Sequence, residues 1–429
     1  MSETAIASVR GRRIWDSRGR PTVEAEVRLS GGAVGRAIAP AGASMGSGEA
    51  VDLRDGGTAF GGMDVTLAVA AVNGEIARAL AGHDASAQGM IDAALIDLDG
   101  TPNKSRLGGN AIVATSMAVL HAAAHAAGLP LWRYLAGDAQ PRMPLPEIQI
   151  FGGGAHAARR VDVQDFLIVC PKAESFAHAL DITAEVYRAA GKMMSEVGKL
   201  QGVADEGGFW PAFATNEEAL DALVRAIERA GYRPGEDVAI SLDVAASEFG
   251  RNGIYTLGLE GRKLDTGAMV DMLAGWLDRY PIVSIEDPVA EDDPAGFRAI
   301  TTRCGERCQI IGDDFLVTKA DLVKIAAASG SCTAVLLKPN QAGTISETRA
   351  ALEAAREAGF GTIVSARSGE SEDITICHLA VGWDAGQFKV GSFSRSERMA
   401  KWNEMLRIEE AMGVNAVFAG GDALAFKRP

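Results

Sequence analysis

The chain has 429 residues, of which 47% are hydrophobic and 23% are charged, and its formal net charge is −14 at pH 7. This length predicts two domains, one of them large enough to be an α/β barrel. The negative charge disfavours nucleic acid and anionic membranes as partners, and every apolar run stops short of the roughly 20 residues that a membrane span needs. A small anionic substrate remains compatible with this charge, because a local pocket can be positive and clustered carboxylates can bind divalent cations.

The amino terminus and the cysteines favour a cytoplasmic protein. Residues 1–13 lack the charged-then-apolar pattern of a secretory signal. The five cysteines are an odd number scattered through a long chain, which argues against a disulfide framework. Cys304 and Cys308 are four residues apart but have no second pair with metal-site spacing, so we expect reduced thiols and no zinc site.

The first part of the chain predicts a small α+β domain. Alternating residues predict antiparallel strands at 23–29 and 33–39, joined by a glycine-rich hairpin turn. Ala- and Leu-rich segments predict helices at about 65–80 and 110–127. Prolines cluster between residues 141 and 146, which suggests a domain boundary there.

The boundary divides the chain into an amino-terminal domain, 1–140, and a second domain, 141–429. In the second domain, short apolar runs that end in polar residues alternate with helical segments. Strand, helix and strand at about 25 to 45 residues a step predict parallel β/α units, and so many in series favour a closed barrel. The predicted strands are Val238–Asp243, Ile282–Asp287, Gln309–Asp314, Ala334–Lys338, Thr362–Arg367 and Gln387–Lys389.

Local signals predict where several helices of this domain begin and end. The segments Thr215–Glu218 and Thr318–Asp321 both fit a capping box, in which the threonine side chain caps the helix. Gly231 and Gly359 stand where glycines commonly end helices.

The predicted strands end in six charged residues: Asp243, Glu286, Asp313, Lys338, Arg367 and Lys389. Active sites of β/α barrels lie at the carboxyl ends of the strands, so these side chains should converge on one pocket. Any one of the three carboxylates could instead cap a helix or pair with a cation. Three carboxylates together would repel one another without a cation, so Asp243, Glu286 and Asp313 predict a magnesium site.

Lys338 is a candidate general base. It follows the apolar run 334–337, where desolvation and a nearby divalent cation would both lower its pKa from about 10.4. The alternative is a surface lysine at a strand end.

Two acidic pairs are candidates for the opposite wall of the pocket. They are Asp205-Glu206, before two glycines, and Gln164-Asp165. A carboxylic acid there could protonate a leaving hydroxyl. His156 follows a glycine-rich loop, whereas the other five histidines lie in ordinary helical or loop sequence and are expected to be structural.

Cationic residues offer contacts for an anionic substrate. Arg367 and Ser368 supply a guanidinium fork and a hydroxyl for a phosphate group. Lys389 supplies a point charge for a carboxylate.

Ordered motifs extend this pattern from about residue 5 to about residue 413. They are Asp16-Ser17-Arg18-Gly19, Pro40-Ala41-Gly42-Ala43-Ser44, Asp205-Glu206-Gly207-Gly208, Ser284-Ile285-Glu286-Asp287, Gly312-Asp313-Asp314, Leu337-Lys338-Pro339-Asn340-Gln341, Arg367-Ser368-Gly369-Glu370 and the run from Lys389 to Arg395. By these motifs the chain resembles the enolase (phosphopyruvate hydratase) family. The resemblance implies an α/β fold, with an N-terminal α+β capping domain followed by an enolase-type β/α barrel, and a homo-oligomer built on a dimer.

The resemblance also implies a role for each matching residue. Two Mg²⁺ ions are implied, the first held by Asp243, Glu286 and Asp313, the second partly by Ser44 in a mobile loop. Lys338 takes the proton next to the substrate carboxylate, as a lysine base beside magnesium does in the enolase superfamily generally. Glu206, with Asp165 and His156 near it, serves the leaving hydroxyl. The remaining implied substrate contacts are Lys389, Gln164, Arg367 and Ser368.

Departures from the family pattern concentrate around the predicted site. Ala366 stands where the family has His, and Asp165 stands where it has Glu. Met45 replaces a hydroxyl residue in the Ser44 loop, and Arg159 and Arg160 follow His156 as candidate contacts for an extra anionic group. A changed pocket beside retained metal ligands and base indicates an altered phosphorylated or phosphono substrate. In this respect the chain is similar to carboxyphosphonoenolpyruvate synthase of phosphonate biosynthesis.

Two alternatives remain open. The first is a glycolytic enolase, interconverting 2-phosphoglycerate and phosphoenolpyruvate, in which these substitutions are tolerated. The second is a non-catalytic binding protein on an enolase scaffold, which the retained Lys338, Glu206 and carboxylate ligands disfavour.

Overall fold

The protein is described by a computed structural model that covers residues 2–159 and 161–426. Its amino-terminal part holds the strands β1 (Ile6–Trp15), β2 (Pro21–Leu29) and β3 (Val34–Ile38). They form a three-stranded antiparallel sheet in the order β1-β2-β3. The predicted hairpin turn joins β2 to β3, and Gly32 there has a φ of +92°.

Helices cover one face of this sheet. They are α1 (Thr66–Ala71), a π-helical turn (Val72–Ile76), α2 (Ala77–Leu80), α3 (Gln88–Asp99), α4 (Gly109–Ala126) and α5 (Leu131–Ala136). Both predicted helices are therefore present, the first interrupted by the π turn. Helix α4 is buried along most of its length and packs closely on β3. At Gly35 a Cβ would lie 2.1 Å from the carbonyl oxygen of Ala118, so only glycine permits this approach.

The second part of the chain is built on a closed barrel of eight strands. Three of them come first, β4 (Leu145–Gly152), β5 (Asp165–Val169) and β6 (Ala239–Asp243). A small antiparallel sheet follows, with β7 (Gly250–Arg251), β8 (Ile254–Leu257) and β9 (Arg262–Asp265). The other barrel strands are β10 (Ile282–Glu286), β11 (Gln309–Gly312), β12 (Ala334–Leu337), β13 (Gly361–Ser365) and β14 (Gln387–Ser392).

The order around the barrel is β10-β11-β12-β13-β14-β4-β5-β6. All six predicted barrel strands are present, to within a few residues. The five cysteines of the chain are all buried and free.

The outer helices surround the barrel. They are α6 (Phe176–Glu196), α7 (Asn216–Arg229), α8 (Thr266–Arg279), α9 (Pro294–Cys304), α10 (Ala320–Ser329), α11 (Pro339–Ala342), α12 (Ile345–Glu357), α13 (Thr375–Gly382) and α14 (Ser396–Met412). Among the described residues, no helix combines the length and the apolar character that crossing a membrane would require.

The expectation of uniformly parallel strands is wrong at β5, which is antiparallel to both β4 and β6. The described residues between β4 and β5 contain a 3₁₀ turn (Gly154–Ala157) and no crossover helix, whereas a parallel pair needs a longer crossover. This inversion brings the first residue of β5 to the barrel end where the other strands finish. Asp165 consequently pairs in register with Asp243.

At one of the two predicted capping boxes the threonine cap is confirmed, although the Glu218 side chain accepts from the N–H of Ala214 and not from that of Thr215. The Thr215 side chain accepts a hydrogen bond from the backbone N–H of Glu218 at the start of α7. The prediction for Thr318 is wrong, because α10 begins after Lys319 and has no side-chain cap. The Thr318 hydroxyl instead donates to Gln341 and accepts from the backbone N–H of Lys338, at 2.6 and 3.0 Å. Gly231 and Gly359 end their helices with left-handed φ, as predicted.

Candidate active site

The ends of β6, β10 and β14 bring two carboxylates and one ammonium together. Asp243 and Glu286 are register partners on adjacent strands. The Nζ of Lys389 lies 2.8 Å from an oxygen of Asp243 and 2.6 Å from an oxygen of Glu286. Gln164 donates to the same Asp243 oxygen at 3.1 Å. Lys389 therefore crosses the mouth of the barrel and holds two of the predicted metal ligands.

Burial and charge shift the pKa values of these groups in opposite directions. Burial opposes ionisation of Asp243, but Lys389 outweighs it and holds the pKa of that carboxyl below its ordinary value. Burial and the neighbouring Asp243 raise the pKa of Glu286 well above its ordinary value. The contrast shows that one ammonium is not enough to neutralise both carboxylates.

Lys338 and Asp313 form the second buried ion pair of this mouth. The Lys338 ammonium donates to one oxygen of Asp313, and Gln341 donates to the other at 2.9 Å. Burial lowers the pKa of Lys338, but Asp313 outweighs it and the net direction is upward. This is opposite to the direction predicted from the sequence, because the sequence does not reveal a carboxylate at hydrogen-bond distance from the lysine.

The predicted ligands at this mouth have the chemistry of a site for a hard divalent cation, although they are not one of the groups of described residues whose ligand atoms all lie within 4.8 Å of one another. Asp243, Glu286 and Asp313 are all buried and offer only oxygen donors, which Mg²⁺ prefers. One oxygen of Glu286 is buried and has no hydrogen-bond partner among the described residues. An unpaired buried carboxylate oxygen is costly, and a cation would satisfy it.

A second acidic cluster, of Asp287, Asp313 and Asp314, is close enough to ligate a metal. The two oxygens of Asp287 already accept backbone N–H groups, from Asp313 at 2.9 Å and from Asp314 at 2.8 Å. Asp287 therefore shapes the turn that carries Asp313. Burial, together with Asp313, raises the pKa of Asp314 to about 8.

The opposite wall is built from His156, Asp165 and Glu206. The Nδ1 of His156 lies 3.0 Å from Asp165, and its Nε2 lies 3.8 Å from Glu206. Gln149 donates to the same Asp165 oxygen and accepts from the N–H of Gly208 at 2.8 Å, which ties this wall to the loop of Glu206. The three site side chains are buried and could also form a metal cluster.

Charges on this wall determine its protonation. Burial opposes the charged form of His156, but Asp165 and Glu206 raise its pKa to about 9. Burial raises the pKa of Glu206, with His156 opposing the shift. A raised pKa favours the protonated form of Glu206, which a proton donor requires.

Arg367 lies on a third side, under the loop that carries Ser44. Its guanidinium forms a bidentate ion pair with Glu49, at 2.8 and 3.1 Å. It also donates to Asn340 and to the carbonyl oxygen of Ser44, at 3.1 and 3.0 Å. The guanidinium predicted to bind phosphate is thus already engaged with protein acceptors.

These walls enclose one small cavity of about 20 Å³, room for about one water molecule. Its lining includes residues of all three walls and of the Ser44 loop: Gly42, Ala43, Ser44, His156, Gln164, Asp165, Glu206, Asp243, Lys338, Ser365, Ala366, Arg367, Ser368 and Lys389. Larger cavities lie elsewhere, at the other end of the barrel and between outer helices. A substrate at these residues requires the loop over them to move.

The two arginines after His156 are the exception to this convergence. Arg159 is exposed and pairs with Glu248 at 3.1 Å, and it is not among the residues that line the cavity. Its side chain leaves the pocket because the backbone takes a left-handed turn there, with a φ of +57°. Arg160 lies outside the described residues.

Sequence reasoning missed several residues that hold the site. Glu49 lies in a glycine-rich loop with no motif of its own, and only its neighbour Arg367 reveals its role. Gln149 occupies β4, a strand that the sequence pattern did not predict. Gln341 belongs to the same ordered motif as Lys338, and its distance of one helical turn from that lysine could have indicated a shared contact.

Comparison with known families agrees with this architecture. A family model described as "Enolase, N-terminal domain" matches residues 6–135, and one described as "Enolase, C-terminal TIM barrel domain" matches residues 140–427. Together they cover nearly the whole chain. The chain belongs to the enolase family, whose members generally use Mg²⁺.

Proposed function

We propose that this protein is an enolase-type lyase that removes the proton next to the carboxylate of a phosphorylated three-carbon acid. The observation that carries the proposal is that Lys338 and Glu206 line the same cavity. One is a base candidate and the other an acid candidate, and both side chains are buried. Membership of the enolase family supports the same reaction class.

The chain's own residues can account for each bond change. Lys338 takes the proton from the carbon next to the carboxylate, and the electron pair moves into the carboxylate as an ene-diolate. Glu206 then protonates the departing hydroxyl, water leaves, and a carbon–carbon double bond forms. Lys389 meets the carboxylate charge, and Arg367 with Ser368 meets the phosphate.

Asp243, Glu286 and Asp313 would hold a Mg²⁺ ion, and Ser44 would contribute to a second. When bound, such ions supply positive charge that stabilises the doubly charged ene-diolate. The same charge beside Asp313 would favour the neutral form of Lys338 that a base requires.

The test is exchange of the substrate α-proton with deuterated solvent, followed by NMR with 2-phosphoglycerate and Mg²⁺. Lys338→Ala should abolish the exchange and leave the folded state intact. Lys104→Ala is the matched control. Lys104 is also a buried lysine, its Nζ lies 2.9 Å from an oxygen of Glu347, and it does not line the cavity. Exchange that persists in Lys338→Ala would show that another group is the base.

We further propose that the substrate differs from that of glycolytic enolases and resembles that of carboxyphosphonoenolpyruvate synthase. Ala366 lines the cavity, so a methyl group stands where the family has an imidazole ring. Asp165 is hydrogen-bonded to His156 and Gln149, and these bonds draw its shorter side chain toward the wall that His156 and Glu206 form. Both replacements are smaller than the family's residues and lie beside retained catalytic groups.

The glycolytic alternative is favoured by Arg159, which pairs with Glu248 at the surface instead of adding charge to the pocket. The two hypotheses predict different efficiencies with 2-phosphoglycerate. An altered substrate predicts a kcat/KM below about 10⁵ M⁻¹ s⁻¹, rising in Ala366→His combined with Asp165→Glu. A wild-type value above about 10⁵ M⁻¹ s⁻¹ would support a glycolytic enolase with tolerated substitutions.

A further inference from the structure

The guanidinium of Arg367 has little free hydrogen-bonding capacity. Its Nη1 donates to Glu49 and Asn340, and its Nη2 donates to Glu49 and to the carbonyl oxygen of Ser44. An arginine has five N–H donors, so these four bonds leave only the Nε–H. A phosphate group that binds the fork must replace some of the present acceptors.

The four acceptors differ in how readily a phosphate can replace them. The Ser44 carbonyl and the Asn340 amide are neutral, whereas Glu49 is a buried carboxylate in a bidentate pair. All four bonds are charge-assisted, because the guanidinium is charged, but only Glu49 adds an opposite charge in bidentate geometry. A phosphate would therefore displace the neutral acceptors first. Glu49 would keep its hydrogen bonds to Nη1 and Nη2 of the guanidinium.

Glu49 also anchors the loop above the site. The Glu49 oxygen that accepts from Nη2 of Arg367 also accepts a hydrogen bond from the backbone N–H of Gly46, at 3.0 Å. Within the segment from Gly42 to Gly46, Glu49 holds Gly46, Arg367 holds Ser44, and Arg18 holds the carbonyl oxygen of Gly42 at 3.2 Å. The first two ties both involve the Arg367–Glu49 pair.

We propose that Glu49 is a positioning residue that holds Arg367 for the substrate phosphate and couples phosphate binding to the Ser44 loop. The phosphate accepts a hydrogen bond from the Nη2 of Arg367 that now donates to the Ser44 carbonyl oxygen. Binding therefore breaks the bond to Ser44, while Glu49 keeps its bonds to Arg367 and to Gly46. This inference rests on the proposed function, because it assumes a phosphorylated substrate in this cavity.

The test is a double-mutant cycle on affinity for 2-phosphoglycerate, measured by calorimetry with Mg²⁺ present. Glu49→Gln should weaken binding about tenfold in the wild-type background but less than about twofold in Arg367→Lys, since Glu49 acts through the arginine. Glu49→Asp, which keeps the charge on a shorter side chain, should fall in between. Asp384→Asn is the control, because it breaks another bidentate pair, with Arg142, at 3.1 and 3.2 Å.

Hydrogen exchange of residues 41–48 gives a second readout. Without ligand, Glu49→Gln should exchange faster in this segment than the wild type, and Asp384→Asn should not. Equal weakening in both backgrounds, or unchanged exchange in the loop, would overturn the proposal. Failure of the proposed function would instead appear as no α-proton exchange in the wild type, which the affinity cycle does not depend on.

Discussion

His156 has a carboxylate beside each of its ring nitrogens, Asp165 at 3.0 Å and Glu206 at 3.8 Å. These carboxylates raise the pKa of His156 from 6.5 to about 9, although burial opposes the charged form. An imidazolium between Asp165 and Glu206 would offset the repulsion between the two carboxylates.

We expect NMR of the metal-free protein to find His156 protonated at pH 7.5. Because its folded-state pKa is above the unfolded value, its contribution to the free energy of unfolding is complete below pH 6.5 and is lost between pH 6.5 and about 9. That contribution is on the order of 3 kcal/mol. Asp165→Asn should lower the pKa of His156, and the remote Asp384→Asn should not. A neutral His156 at pH 7.5 would contradict this assignment.

At the residue scale, the sequence was informative where chemistry and strand ends coincide. Asp243, Glu286 and Lys389 could be placed together because parallel strands finish at one edge of a barrel. Glu49 could not, since its partner Arg367 is more than three hundred residues away in the chain. Thr318 illustrates a different failure, because its local pattern suits a helix cap while the long-range bond to Gln341 determines its position.

At the scale of elements, the reversed strand β5 was the main structural feature that periodicity did not reveal. A short buried run looks the same in either direction, and only the length of the connection decides it. The reversal matters for the site. It places Gln164 and Asp165 at the mouth, opposite Lys338. They stand at the start of their strand, whereas the other catalytic groups stand at the ends of theirs.

The Ser44 loop is the element that must move for a substrate to enter. Gly42 packs directly on Arg367, and a Cβ at this position would lie 2.0 Å from its Nη2. Gly42→Ala should therefore prevent the observed loop position. We expect faster hydrogen exchange of residues 41–48 and at least about a tenfold rise in the KM for the substrate.

Ser47→Ala in the same loop is the matched control, because its side chain is exposed. Phosphate binding releases the Ser44 tie, but Ser44 would then contribute to the second Mg²⁺ site. In the wild type, substrate with Mg²⁺ should therefore slow exchange of the loop below the ligand-free rate. The loop is not a lid if Gly42→Ala exchanges like the wild type, or if ligand leaves the wild-type rate unchanged.

At the scale of the whole molecule, the mouth of the barrel gathers buried negative charges that the neighbouring ammonium groups balance only in part. Three buried carboxylates, Asp243, Glu286 and Asp313, face two ammonium groups, and the pKa of Glu286 is raised well above its ordinary value by burial and by Asp243. Packing of the surrounding strands fixes these groups in place. A cation that binds here binds the folded state and hardly the unfolded chain.

Magnesium should consequently stabilise the whole chain. At about 100 times the dissociation constant, the expected gain in the free energy of unfolding is about 2.7 kcal/mol, measured by thermal or denaturant unfolding. Sodium chloride at equal ionic strength should give much less, because simple screening weakens ion pairs and does not fill a site. Glu286→Gln removes one ligand charge and should abolish most of the magnesium effect.

If that variant responds as strongly as the wild type, the ion binds elsewhere, with Asp287, Asp313 and Asp314 as the next candidates. If calorimetry finds no binding near millimolar Mg²⁺, the non-catalytic scaffold becomes the better interpretation.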